Sequence, residues 1–191
     1  LFKTSGCRVY HRERLPADGP AIIVANHASL VDAMVIQFQY PGKMLFSVRP
    51  TGARDFFQRS ALGYFAATHI LRMCFVDRGS GNAAKAGRDV FSEFRPPLAA
   101  SHILVYFPQG TRRVGAPFEA GIFHLAASVP HVPIIPVRIE GTREMMPAGA
   151  RWPKAHPITV YVGEPYPLDL DLSPREYARN LQLHIATLAA F

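Results

Sequence analysis

The stretch "A-I-I-V-A-N-H-A-S-L-V-D-A-M-V-I-Q-F", residues 21–38, joins two apolar runs through Asn26, His27, Ser29 and Asp32. Residues 21–25 form a short uncharged run with a β-branched centre, which predicts a buried strand. Residues 30–38 are long enough for a helix. A strand feeding directly into a helix is the building unit of α/β folds, whose ligands gather in the loops at the carboxyl ends of the strands. Two questions follow: whether the unit repeats, and why a histidine and a carboxylate sit at its turn.

The unit does repeat. Pro41-Gly42 marks a turn, after which residues 44–48 predict a strand, 55–68 a helix and 73–76 a third strand. Gly79-Ser80-Gly81 ends that strand, and a helix is expected from Asn82 to Phe94, stopped by Pro96-Pro97. Residues 102–107 predict a buried strand, 120–128 a short helix, and 134–139 and 158–162 two more strands. Ser173-Pro174 opens a last helix as a cap followed by a first-turn proline. This alternation predicts an α/β fold: a single layered domain with a largely parallel central sheet and flanking helices. No internal repeat or low-complexity tract interrupts it, and the proline-rich residues 147–167 are expected to be irregular.

With 191 residues, 49% of them hydrophobic, the chain can bury one sizeable core and not comfortably two, so residues 1–191 are expected to form one domain. It begins at Leu1 with no leader-like stretch, and is expected to be a segment of a longer chain without a signal peptide. Cys7 and Cys74 form no C-x-x-C pair, which argues against a disulfide framework or a thiolate metal site and fits a reducing compartment. Arg, Asp, His or Pro breaks every apolar run before it reaches the length of a membrane span.

The formal charge of +7 is uneven. Residues 1–95 carry 13 Lys and Arg against 7 Asp and Glu, while residues 96–191 carry 8 against 7. The basic half suggests an anionic partner, either phospholipid head groups, nucleotide phosphate or nucleic acid; the alternative is a solvated arginine-rich surface, since 17 of the 21 cations are Arg. Nucleic acid is disfavoured, because no basic helix, aromatic RNA-binding motif or zinc finger accompanies the charge.

Three strand ends carry chemistry. With His27 in a turn, Ser29 as N-cap and Asp32 in the first helical turn, the carboxylate can reach back to the imidazole, fix its tautomer and leave the other ring nitrogen free to take a proton. The competing explanation is capping: Ser29-x-x-Asp32 is also a capping-box pattern, and Asn26 and His27 can serve turn backbone groups. In "F-P-Q-G-T-R-R", residues 107–113, Gly110 allows close approach to the backbone, Thr111 offers a hydroxyl and Arg112 a planar fork for phosphate. A turn with an exposed arginine explains the same residues. In "F-V-D-R-G-S-G", residues 75–81, Arg78 stands at a strand end before glycines that lead into a helix, where amides favour an anion; an ordinary strand-turn-helix is the alternative. His69, His102, His124, His131, His156 and His184 lack the spacing of metal ligands, and no metal is expected. The aromatic run 56–65, at helical spacing, reads as core or as an interfacial surface, and Trp152 as an interfacial anchor or a packed loop residue.

Taken in order, "N-H-A-S-L-V-D", "F-V-D-R-G", "F-P-Q-G-T-R" and "V-P-I-I-P-V" resemble the four sequence blocks of the glycerolipid acyltransferase family, the H-x4-D lysophospholipid acyltransferases typified by 1-acylglycerol-3-phosphate acyltransferase, from about Gly6 to Pro167. The resemblance implies that His27 is the general base for an acceptor hydroxyl and that Asp32 orients it. It further implies that Arg78 and Arg112, with Gln109, Gly110 and Thr111, bind the acceptor's phosphate. The block Val132–Val137 would belong to the core and to acyl accommodation. The acceptor would be a lysophospholipid such as 1-acylglycerol 3-phosphate and the donor acyl-CoA or acyl carrier protein. No other cofactor is implied. The uneven charge and the absence of an apolar run of spanning length predict peripheral attachment, through the basic amino-terminal half, to the cytoplasmic face of a membrane with anionic lipid. Glycerol 3-phosphate or a lyso-aminolipid remains an alternative acceptor, and a non-catalytic module binding anionic lipid an alternative of another class.

Two residues depart from the family pattern. Gln109 stands where the family usually has Glu, and Glu119 where Lys is common. Gln109 is therefore expected to govern activity or acceptor choice, with Gln109→Glu changing kcat/KM or its ratio between phosphate-monoester and zwitterionic lyso-lipids. Some family members carry a pair of membrane-associated helices before the α/β domain; none lies within residues 1–191, as expected of a truncated or otherwise arranged chain.

Overall fold

The computed structural model describes residues 6–76, 91–147, 149–150 and 152–188. Its centre is a seven-stranded sheet of β1 (Cys7–Tyr10), β2 (Ala21–Ala25), β3 (Val48–Ala53), β4 (Cys74–Val76), β5 (Ile103–Tyr106), β6 (Ile134–Glu140) and β7 (Ile158–Val162). The strand order is β1-β7-β6-β2-β5-β3-β4. All neighbouring pairs are parallel except β6 and β7, so the expected α/β layering with a largely parallel sheet is present.

β2 lies at the middle of the sheet, and all five of its residues are buried. Successive side chains of a strand point to opposite faces, and β2 divides accordingly. Ala21, Ile23 and Ala25 pack with Val35 and Ile36 of the helix Asp32–Gln37. Ile22 and Val24 pack with Ile122 and Leu125 of the helix Gly121–Ser128 and with Tyr177 and Leu181 of the helix Pro174–Thr187. A strand buried on both faces reads as a continuous apolar run, which is why the sequence pattern located it. The last helix starts as expected: Ser173 caps the N–H of Glu176 at 3.3 Å and the Glu176 carboxylate accepts the Ser173 N–H at 3.0 Å, a complete capping box.

Elsewhere the sequence expectations need correction. Residues 42–47, read in part as a strand, form a 3-10 helix, and the strand follows at Val48–Ala53. Pro50 and Gly52 disguise it. β3 is stepped, with residues 48–50 paired to β5 and residues 51–53 to β4, so Pro50 sits where β4 makes no ladder and its missing N–H is tolerated. Gly52 suits a close approach, since a Cβ there would lie 2.6 Å from Cε of Met73 and 2.8 Å from Cε2 of Phe57, and both side chains would have to shift. The single helix expected over 55–68 is three pieces: Arg54–Phe57, Ala61–Phe65 and a π-helical turn Ala66–Ile70. Ser60 is extended and caps the N–H of Gly63 at 3.2 Å, which restarts the helix. β1 was not anticipated; it is short, alternately exposed, and among the described residues pairs only with β7. The helix expected over 82–94 and Arg78 lie outside the described residues, apart from a turn at residues 91–94.

Candidate active site

The register of the central strands determines what meets at their carboxyl ends. Val24 of β2 is opposite Tyr106 of β5, so Asn26-His27 and Phe107–Gly110, far apart in sequence, leave the sheet side by side. The same end of β2 runs beside β6, where Ala25 is opposite Val137. Asn26 continues that ladder with its side chain, donating to the Ile139 carbonyl at 2.9 Å and accepting the Ile139 N–H at 2.8 Å. It thereby anchors the residue before His27.

His27 is in the turn, and its Nδ1 lies 2.8 Å from Oδ2 of Asp32. The same carboxylate oxygen accepts the N–H of Ala28 at 2.7 Å and of Ser29 at 2.8 Å, and Asp32 is fully buried. Half of the capping box is therefore real, with the carboxylate reaching back to Ser29, but Ser29 is not the expected N-cap. Its hydroxyl donates to the Met146 carbonyl at 2.9 Å, and the helix enters through Val31 without a side-chain cap. Capping and imidazole orientation are served by one carboxylate. The ring of His27 also stacks on Phe107, with centroids 4.3 Å apart and planes 24° apart.

The third block surrounds this pair. Gly110 has φ +59°, a left-handed conformation that glycine adopts without strain. The Thr111 hydroxyl oxygen accepts the Arg113 N–H at 3.4 Å, and the Arg112 guanidinium lies 5.0 Å from the Phe56 ring centroid. Gln109 differs from its neighbours: it is only 6% exposed, and its side chain turns to the main chain. Its Oε1 accepts the His27 N–H at 2.5 Å, while its Nε2 donates to the carbonyls of Arg113 at 3.2 Å and Ala116 at 3.3 Å.

Two cavities flank the histidine. The larger, about 660 Å³, is lined by His27, Thr111 and Arg112 and by apolar side chains including Leu30, Phe56 and Met73. Asp55, Arg59 and Glu119 also line it. So does Tyr106, whose hydroxyl is pushed up to about 12 by burial and then by the Glu119 carboxylate, and which therefore remains a neutral donor. The smaller cavity, about 200 Å³, lies towards Arg138, Phe118 and Gln182. Among the described residues only His27 and Gln109 line both.

The structure thus brings together His27, Asp32, Gln109, Gly110, Thr111 and Arg112, while Arg78 lies outside the described residues. The fourth block is core: Val132, Ile134, Ile135 and Val137 are all buried. Sequence reasoning missed Phe107 as the floor under the imidazole; the signal was its position immediately after a buried strand in the same block as Gln109. It also missed Gln182, on a helix with no motif. Among the described residues no group of three His, Cys, Asp or Glu side chains converges as a metal site, and no helix is long and apolar enough to cross a membrane.

A family model described as Acyltransferase matches residues 6–140. Human 1-acyl-sn-glycerol-3-phosphate acyltransferase alpha is 32% identical over 139 residues, 68% of this chain and 46% of its own length. The 1-acyl-sn-glycerol-3-phosphate acyltransferase of Limnanthes douglasii is 30% identical over 149 residues, 73% of this chain and 48% of its own length. The chain spans about half the length of these curated relatives. The crystal structure of the 1-acyl-sn-glycerophosphate (LPA) acyltransferase PlsC from Thermotoga maritima is similar in fold, with a TM-score of 0.69 at 20% identity over 98% of this chain and 74% of that one.

Proposed function

The chain belongs to the acyltransferase family, and on that premise we propose that it transfers an acyl group from a thioester, acyl-CoA or acyl carrier protein, to the hydroxyl of a lysophospholipid such as 1-acylglycerol 3-phosphate. The observation that carries this reading is the His27–Asp32 pair, 2.8 Å apart, with His27 at the wall of the larger cavity and Asp32 buried behind it. A carboxylate oxygen that already accepts two main-chain N–H groups is an acceptor for Nδ1–H, which leaves Nε2 unprotonated. Nε2 takes the proton of the acceptor hydroxyl as its oxygen bonds to the thioester carbonyl carbon. The C–S bond then breaks, and the thiolate takes the proton back from the imidazolium. Arg112 and Thr111, on the same cavity wall, hold the acceptor's phosphate, with Gly110 shaping the turn. Neither a metal nor a protein nucleophile enters the scheme.

A lyso-aminolipid acceptor is the second reading, favoured by one observation. Asp55 and Glu119 line the same cavity as Arg59 and Arg112, a mixed set of charges that suits a head group with both an amine and an anion. Attachment to a membrane with anionic lipid, at its cytoplasmic face, completes the proposal. Leu62, Phe65 and Ile70 are 78%, 55% and 59% exposed on the helical segment 61–70. Residues 42–76, which contain them, carry five Lys and Arg against one Asp. Exposed apolar side chains in a basic setting fit an anionic bilayer surface, and Phe56, Phe57 and Arg59 of the same stretch line the cavity the lipid would enter.

The test is thiol release from acyl-CoA with a panel of lyso-lipids, with the product identified by mass spectrometry. Wild type should release thiol only with an acceptor, and His27→Ala should lower that rate by at least about 10²-fold with unchanged circular dichroism. Turnover within about threefold of wild type in His27→Ala would return residues 26–32 to a purely capping role.

A further inference from the structure

Among the described residues, Gln109 is the one whose side chain bonds to the main chain of His27 and of the 110–116 loop and lines both cavities. Its three hydrogen bonds demand opposite chemistry at its two ends. The His27 N–H is a donor and needs an acceptor, and the carbonyls of Arg113 and Ala116 are acceptors and need donors. A primary amide satisfies all three at once, whereas a carboxylate satisfies only the first and turns its second oxygen towards two carbonyl oxygens. The Ala116 carbonyl also accepts from Nε2 of Gln182 at 3.0 Å, and Oε1 of Gln182 accepts the Phe118 N–H at 3.0 Å. The bonds therefore run from the main chain of His27 through Gln109 to the helix Pro174–Thr187, which is packed against the sheet.

We propose that Gln109 is a positioning residue that holds the His27 main chain and the 110–116 loop in register, and that this chain requires an amide rather than a carboxylate at that position. Asp32 and Phe107 fix the imidazole's tautomer and plane. Gln109 fixes the peptide from which the ring hangs, and so the reach of Nε2 towards the thioester. Both hydrogens of its Nε2 are already used by the protein, so its part in the reaction is exerted through His27. The inference rests on His27 being the base, and one arm of its test does not depend on activity.

That arm is amide hydrogen exchange of the His27 N–H by NMR in Gln109→Met, which keeps the side-chain length and removes the acceptor. Exchange should accelerate by about tenfold or more relative to amides of β2; exchange at the wild-type rate would overturn the proposal whatever the reaction proves to be. The second arm is kcat of Gln109→Glu. At about pH 8 it should fall by about tenfold or more, because misplacement of a catalytic group by an ångström costs up to about 10²-fold. Its ratio to wild type should then recover by about threefold or more towards pH 6, as a carboxyl facing two carbonyls takes up a proton and regains one donor. Gln109→Met should be equally low at both pH values. A flat Gln109→Glu ratio, or wild-type kcat in either variant, would overturn the proposal. Should Gln109→Glu be unfolded at about pH 8, refolding towards pH 6 would support it, and an unfolded protein at both would count against it. Loss of acceptor-dependent turnover in the wild type itself would sink the acyl-transfer reading while leaving the exchange arm to decide on Gln109.

Discussion

Oδ2 of Asp32 is shared by Nδ1 of His27, 2.8 Å away, and by the N–H groups of Ala28 and Ser29, so one buried carboxylate both shapes the turn and orients the ring that hangs from it. The two roles separate by substitution. Asp32→Ala strands buried N–H groups and is expected to lower unfolding stability by about 2–4 kcal/mol as well as abolish turnover. Asp32→Asn keeps an acceptor for the turn but loses the charge that stabilises the imidazolium. It should keep most of the stability and lower kcat by about 10²-fold or more. Urea unfolding and kcat measured on both variants check this; an Asp32→Asn enzyme with wild-type kcat would confine Asp32 to the turn.

Arg112 lies over the Phe56 ring at the cavity wall. Arg112→Ala should raise KM for a phosphate-bearing acceptor by about 10- to 100-fold, the worth of one charge-assisted hydrogen bond, with a smaller effect on kcat. Arg112→Lys should recover only part of the loss, because an ammonium gives no planar fork and stacks poorly on the ring. Steady-state kinetics with the acceptor varied decide the point, and an unchanged KM in Arg112→Ala would remove this residue from the acceptor.

Replacing Leu62, Phe65 and Ile70 together by Ser should weaken sedimentation with anionic vesicles by about tenfold or more, because each exposed side chain contributes up to about 1.5–3 kcal/mol when taken out of water. Wild-type binding should also weaken as salt rises, since charges are screened beyond about 8–10 Å at 0.1–0.15 M ionic strength. Vesicle binding that ignores the triple substitution, salt and lipid charge would move the attachment to another surface.

His102 is shifted below the ordinary histidine value, first by burial and then by the cations of Arg49 and Arg72, and its Nδ1 is buried with no hydrogen-bond partner among the described residues. The unfolded chain therefore binds a proton at His102 that the folded chain refuses. This stabilisation is present above the ordinary histidine value and is lost as pH falls through that value towards the lower folded one, by at most about 1.4 kcal/mol per pH unit. Unfolding midpoints between about pH 8 and pH 5 should fall more steeply for wild type than for His102→Gln. Parallel curves would mean that His102 takes no part in the acid sensitivity.

What the sequence determined by itself is local in origin. Ala21–Ala25 is recognisable because a central parallel strand is apolar on both faces, and the helix at 174 because Ser173, Pro174 and Glu176 carry its start within four residues. His27 and Asp32 could be paired because a turn brings residues five apart together without help from the rest of the chain. The tertiary structure decided whatever depends on strand order. The strand Val48–Ala53 is unreadable from Pro50 and Gly52, whose fitness comes from a stepped pairing with β5 and β4 and from the side chains of Met73 and Phe57. Gln109 presents no local pattern that tells a ligand for phosphate from a brace for histidine. Its hydrogen bonds follow from β2 and β5 being neighbours, which sets the Phe107–Gly110 turn beside His27 and turns the amide towards main-chain groups whose positions no periodicity records.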